Sequence, residues 1–164
     1  ITTAFLISSK PCFNLRLFNM RNYTKLFSFL SLLILSKAGF AETIQIEFTE
    51  DDAYSIQVAH INAGDTIRWL PKNEGHNVEF FGGPDMSSMP PTSEMDEPHT
   101  IVFKASGIYL YGCTPHADMG MLGLVIVDND FHNLNVIKKL QFSRVGKSVL
   151  QRLLKTAQKS LTPK

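Results

Sequence analysis

One short segment of the chain brings together three kinds of side chain that bind transition metals. Cys113, His116 and Met121 lie within nine residues, and His76 stands upstream between a glycine and an asparagine. This set offers a thiolate, two imidazoles and a thioether, which suit copper better than calcium or magnesium. Two histidines and a cysteine in one plane, with a weak axial methionine, are the electron-transfer arrangement of copper. The four residues therefore predict a copper site that exchanges single electrons.

Further methionines leave two alternatives open. Met119 is a rival for the axial position, although it follows His116 by three residues and Met121 follows it by five. Three more thioethers are available to Cu(I) in an upstream loop, at Met86, Met89 and Met95. A copper carrier or storage protein that uses the same ligand set and this methionine-rich loop is therefore the alternative function.

An enzymatic function is not expected. Copper oxidases and copper nitrite reductases need additional histidine clusters, often of the form His-x-His, and none of the five histidines forms one. No Ser/His/Asp set, paired carboxylate cleft or glycine-rich phosphate loop stands out either. His60, His99 and His132 lie outside the copper motif, and we expect them in sheet or surface positions.

The copper motif carries a resemblance to a known family. Cys113-Thr-Pro-His116 with four further residues before Met121, joined to an upstream His76-Asn77-Val-Glu, resembles the pseudoazurins, which are type 1 (blue) copper proteins of the cupredoxin class. Plastocyanins match the Cys–His–Met loop equally well. The resemblance implies four ligands for one copper ion: His76, Cys113, His116 and Met121. It also implies that Asn77 ties the two ligand loops together by hydrogen bonds.

The resemblance extends from about Thr43 to the end of the chain, and it implies a fold and a setting. The implied fold is an all-β, Greek-key cupredoxin sandwich of about seven or eight strands with a C-terminal α-helical extension. The implied setting is the periplasm, where a monomer exchanges electrons with c-type cytochromes or with nitrite or nitrous oxide reductase. No nucleic-acid partner and no stable membrane insertion are expected.

The pattern of the central segment independently favours an all-β sandwich. Short runs of alternating apolar residues, rich in β-branched and aromatic side chains, are separated by turn residues. The predicted strands span residues 44–48, 55–61, 66–70, 77–81, 100–104, 108–111 and 123–127. Residues 82–98, with four prolines and no periodicity, are predicted to form a long loop.

The ends of the chain differ from this segment. Residues 20–41 have the positive start, apolar run and small residues of a secretory signal peptide, and residues 1–19 resemble an upstream, non-native leader. The copper-binding domain then spans residues 42–127, and residues 128–164 form a basic helical extension of it. A mature chain starting near Glu42 keeps Cys113 as its single cysteine, so no intramolecular disulfide is possible.

Charge is unevenly distributed between these segments. Residues 42–127 hold 3 basic and 13 acidic side chains, whereas residues 128–164 hold 8 and 2. Apolar residues recur at helical spacing in the basic tail, and we expect this stripe to pack on the sandwich. A helix that binds a membrane surface or a partner is the alternative. A shorter helix near residues 134–140 is expected before it.

The docking surface is expected around the exposed edge of the His116 ring. There Pro115 and Ala117 are predicted to form part of an apolar contact surface. Glu74, Glu79 and Asp118 lie close to the ligands in the sequence, so we expect this face to attract a basic partner such as a lysine-rich cytochrome.

Overall fold

The computed structural model of the protein describes residues 40–160, and eight strands and two α-helices form this part of the chain. The leader predicted at 1–19 and nearly all of the signal peptide predicted at 20–41 lie outside the described residues. The strands are β1 (Thr43–Thr49), β2 (Ala53–Tyr54), β3 (Val58–Ile61), β4 (Thr66–Leu70), β5 (Glu79–Gly82), β6 (His99–Val102), β7 (Gly107–Gly112) and β8 (Leu122–Val127). The helices are α1 (Leu134–Ile137) and α2 (Arg144–Lys159).

The strands form two four-stranded sheets, so the predicted all-β sandwich is confirmed. The first sheet has the order β2-β1-β4-β6 and the second has the order β3-β8-β7-β5. Pairing is parallel between β1 and β4 and between β3 and β8, and it is antiparallel between the other neighbours. Of the run predicted as a strand at 55–61, only Val58–Ile61 forms one, because the chain leaves the first sheet after Tyr54 and enters the second at Val58.

The space between the sheets is filled mainly by aromatic and β-branched side chains. Trp69 of the first sheet lies with its ring 5.1 Å from that of Tyr111 in the second, and both are fully buried. Alternate residues of β1, such as Ile46 and Phe48, point into this core, as a period of two residues requires. Strands β7 and β8 are buried along their whole length because their outer face is covered as well.

The C-terminal helix provides that cover, so the predicted packing of its apolar stripe on the sandwich is confirmed. Leu150, Leu153, Leu154 and Ala157 are buried in a second apolar cluster with residues of β7 and β8. The side chain of Ser143 caps the start of α2 by accepting a hydrogen bond from the Gly146 amide at 3.1 Å. Within residues 40–160, no helix has both the length and the hydropathy needed to cross a bilayer.

Candidate metal centre

Three predicted ligands converge at one end of the second sheet. His76 lies in the loop before β5, Cys113 directly follows β7, and His116 lies in the loop that leads to β8. The Nδ1 atoms of His76 and His116 are 3.1 Å apart. The Cys113 Sγ atom lies 3.7 Å from His76 Nδ1 and 3.5 Å from His116 Nδ1. Three donor atoms thus occupy the corners of a nearly equilateral triangle.

The size of this triangle fits a metal ion. The point equidistant from the three donor atoms lies about 2.0 Å from each of them, whereas imidazole and thiolate bonds to a first-row metal such as zinc measure about 2.0 and 2.3 Å. Among residues 40–160, this is the one cluster of three or more histidine, cysteine or carboxylate donors within reach of a common ion.

The two candidate axial methionines occupy opposite environments. Met121 is 2% exposed and belongs to the same buried cluster as Cys113, whereas Met119 is 60% exposed. The backbone holds Met121 at the site, because its carbonyl accepts a hydrogen bond from the Cys113 amide at 3.2 Å and its amide donates to the His116 carbonyl at 3.1 Å. This burial favours Met121 over Met119 as the axial donor.

Asn77 joins the two ligand loops, as the family resemblance implies. Its Oδ1 accepts a hydrogen bond from the Thr114 amide and its Nδ2 donates to the Thr114 hydroxyl, both at 2.8 Å. The Thr114 hydroxyl donates in turn to Glu79 Oε2 at 2.7 Å. Residues on both sides of the triangle are therefore fixed relative to each other by one polar chain.

Two aspartates that were not predicted from the sequence frame His76. The His76 amide donates to Asp96 Oδ1 at 3.0 Å, and the Asp96 amide donates to the His76 carbonyl at 2.8 Å. The Nε2 atom of His76 lies 3.5 Å from Asp52 Oδ1. A carboxylate near this nitrogen favours the tautomer that leaves Nδ1 free as a metal ligand.

Burial dominates the electrostatics of the donors. Burial lowers the pKa of His76 from its ordinary value of 6.5, His116 adds to this effect, and Asp52 and Asp96 oppose it. The same cause raises the pKa of the fully buried Cys113 thiol, while hydrogen bonds from the Asn77 and His116 amides act in the opposite direction. These two backbone donors favour the thiolate that a metal requires.

The surface around His116 differs from the prediction at one residue. Ala117 is 5% exposed and packs in the apolar cluster beneath α2, so its predicted place on the docking surface is wrong. The exposed apolar side chains here are Pro115 and Met119, the polar Thr114 and Asp118 are exposed as well, and His116 is half-buried. The predicted apolar surface therefore has Met119 in place of Ala117.

The remaining histidines join no second group of three histidine, cysteine or carboxylate donors within residues 40–160. Met89 packs beside Gly83 and Tyr109, and Tyr109 precedes Cys113 by four residues. Met95 directly precedes Asp96, which accepts a hydrogen bond from the His76 amide. His60 and His99 lie in strands and His132 is exposed beside Asp130, as predicted.

Comparison with known proteins places this geometry in a family. Residues 43–128 match the family of copper binding proteins, plastocyanin/azurin family. The chain is 34% identical over 98 residues to the pseudoazurin of Methylorubrum extorquens, a match that covers 58% of this chain and 66% of that protein, just under two thirds of its length. It is 33% identical over 118 residues to the pseudoazurin of Paracoccus pantotrophus, covering 66% and 79% of the two chains.

A solved structure agrees in fold. The crystal structure of pseudoazurin from Methylobacterium extorquens AM1 superposes with a TM-score of 0.63 at 24% identity, covering 70% of this chain and 98% of that one. The resemblance inferred from the copper motif is thereby confirmed, and so is the cupredoxin sandwich. The chain belongs to the plastocyanin/azurin family of copper-binding proteins, with pseudoazurins among its homologues.

Proposed function

We propose that this protein is an electron carrier in which His76, Cys113, His116 and Met121 hold one copper ion. The observation that carries the proposal is the triangle of two imidazole nitrogens and one cysteine sulfur, with sides of 3.1 to 3.7 Å. Bound copper would supply a centre that alternates between Cu(I) and Cu(II). The protein supplies the donors, their orientation and a dry interior around them.

The rigidity of the donors is what suits them to electron transfer. Asp96 holds the backbone of His76, Asn77 links the loop of His76 to Thr114, and the Cys113 and Met121 backbones are hydrogen-bonded to each other. Donors held in this way move little when the metal changes its charge. A small rearrangement lowers the barrier to electron transfer, whereas a carrier that delivers its metal needs a site that opens.

The half-buried ring of His116 is the proposed route for the electron. Its Nδ1 atom is one corner of the donor triangle, the residue is partly exposed, and the nearby Pro115 and Met119 are exposed. Apolar side chains around this residue allow a partner to dock closely and exclude water. The surface therefore suits brief contacts with redox proteins.

We further propose that the protein acts in the periplasm after export by the signal peptide at 20–41, and that its partners include c-type cytochromes, with nitrite or nitrous oxide reductase as candidate acceptors. Asp52, Glu79 and Asp96 lie beside the ligand loops and favour a basic partner. Association with a basic cytochrome should then be fast at low salt and slow down as salt is added, over a Debye length of about 8–10 Å. Rates that rise with salt would contradict this choice of partner.

The visible spectrum tests the proposed ligand set directly. The purified protein with added Cu(II) should show an intense thiolate-to-copper absorption, and Cys113→Ser should abolish it. Ser106→Ala, at the opposite end of the second sheet, serves as a control that should retain the colour. Colour that persists in Cys113→Ser would refute the assignment. Loss of copper during repeated oxidation and reduction would favour the alternative, a protein that carries or stores copper.

A further inference from the structure

The start of α2 is interlocked with the loop that carries His116 and Met121. The Ser143 amide donates a hydrogen bond to Asp118 Oδ1 at 2.7 Å, and the Ser143 hydroxyl donates to the Asp118 carbonyl at 2.5 Å. The same hydroxyl oxygen accepts from the Gly146 amide. One serine therefore caps its own helix and holds two atoms of a residue in the ligand loop.

Close packing accompanies these hydrogen bonds. A Cβ atom added at Gly146 would lie 3.0 Å from the Ala117 carbonyl oxygen, and one added at Gly120 would lie 2.9 Å from a Val149 methyl group. Gly120 has a φ of 109°, so it also ends the turn over Ala117–Met119 in a conformation that side chains disfavour. The helix and the loop thus approach each other at backbone distance on both sides of Asp118.

Within the loop, this contact is transmitted directly to the ligands. The Ala117 amide donates to the Cys113 carbonyl at 2.7 Å, and the Met121 amide donates to the His116 carbonyl at 3.1 Å. Asp118 directly follows the segment closed by the first bond and lies within the segment closed by the second. Movement of Asp118 away from the helix would therefore strain the backbone segments that aim both His116 and Met121.

We propose that Asp118 and Ser143 are positioning residues for the copper site, through which the C-terminal helix sets the geometry of the ligand loop. This inference rests on the proposed copper ligation and extends it to a segment outside the residues 43–128 that match the copper-binding family. The helix then acts on the metal centre as well as covering the sheet. Its two ends should consequently differ in their effect on copper.

The first experiment uses the metal-free protein, so it does not depend on copper binding. Ser143→Ala removes the hydroxyl that bonds the Asp118 carbonyl, and hydrogen exchange at the Gly120 and Met121 amides should become about tenfold faster. The control is Ser160→Ala, which removes the hydroxyl that donates to the Ala157 carbonyl beside His60, at the other end of the helix. It should leave these amides within about twofold of the wild-type rate. Unchanged exchange in Ser143→Ala would overturn the interlock.

The second experiment measures the copper-loaded protein. Asp118→Ala should shift the maximum of the visible absorption and the copper hyperfine splitting, whereas Asp118→Asn, which keeps Oδ1 as an acceptor for the Ser143 amide, should restore both. Ser143→Ala should cause a shift without any change of charge, which separates loop geometry from electrostatics. Faster exchange with an unaltered spectrum in all three variants would overturn the positioning role. A wild-type protein without the blue absorption would instead refute the proposed function and leave the exchange result intact.

Discussion

Replacing Asn77 by alanine tests whether the tie between the ligand loops has the strength that its geometry implies. Asn77 is 5% exposed and makes two hydrogen bonds of 2.8 Å to Thr114. A buried hydrogen bond contributes about 1 kcal/mol net, and a polar group left without a partner costs about 1–3 kcal/mol. The free energy of unfolding of the metal-free protein should therefore fall by about 2–4 kcal/mol in Asn77→Ala.

The structure offers a matched control at the opposite end of the sheet. Asn133 is 4% exposed, and its side chain accepts from the Ile108 amide at 2.9 Å and donates to the Ile108 carbonyl at 2.8 Å. Ile108 and Cys113 are five residues apart on an extended strand, which places them about 17 Å from each other. Asn133→Ala should lose similar stability without disturbing the donors.

Two measurements separate the variants. Urea unfolding of the metal-free forms should give comparable losses, whereas the reduction potential and visible spectrum of the copper-loaded forms should change in Asn77→Ala alone. A loss of less than about 0.5 kcal/mol in Asn77→Ala would show that water replaces the side chain at little cost. Equal spectral changes in both variants would show that the copper site responds to general loosening of the fold.

Three further outcomes are expected. Met121→Leu should raise the reduction potential, because loss of a weak thioether donor destabilises Cu(II) more than Cu(I), whereas Met119→Leu should change it little; titrations giving the reverse order would make Met119 the axial ligand. Met119→Asp should slow electron exchange with partners while the spectrum stays unchanged, and stopped-flow rates equal to wild type would exclude this surface. Burial lowers the pKa of both His76 and His99 from 6.5. As the pH falls, these histidines therefore bind protons in the unfolded chain before they do so in the folded one. The metal-free protein should lose stability in urea titrations as the pH falls from about 7.5 to about 5.5. Constant stability over that range would contradict the stated burial.

The candidate ligands could be identified from the sequence because most of their geometry is local in the chain. Cys113, His116 and Met121 share one tight loop between two adjacent strands, so their spacing in the sequence nearly determines their spacing in the fold. Most strands could also be predicted, because the pleat of a strand makes buried apolar residues alternate with exposed ones. The helix was predicted from its apolar period, although its first residues, which touch the ligand loop, lack that period.

The supporting frame could not be predicted, because it depends on how distant segments fold back. Asp96 contacts His76 only because the long loop after β5 folds back to the segment that carries His76. No periodicity in the sequence of this loop predicts that contact. Ala117 was expected at the surface, since nothing in its neighbours signals that α2 covers it. The place of Ser143 beside Asp118, 25 residues away in sequence, depends in the same way on the whole length of β8 and α1.

The acidic residues near the copper site have a structural use that the charge count alone does not suggest. Asp96, Glu79 and Asp118 each accept a hydrogen bond from the ligand segments or from the start of α2. A Cu(II)–thiolate pair carries one positive charge that disappears on reduction, and nearby carboxylates stabilise the charged state more than the neutral one. The same side chains that fix the loops are therefore expected to lower the reduction potential of the proposed copper site.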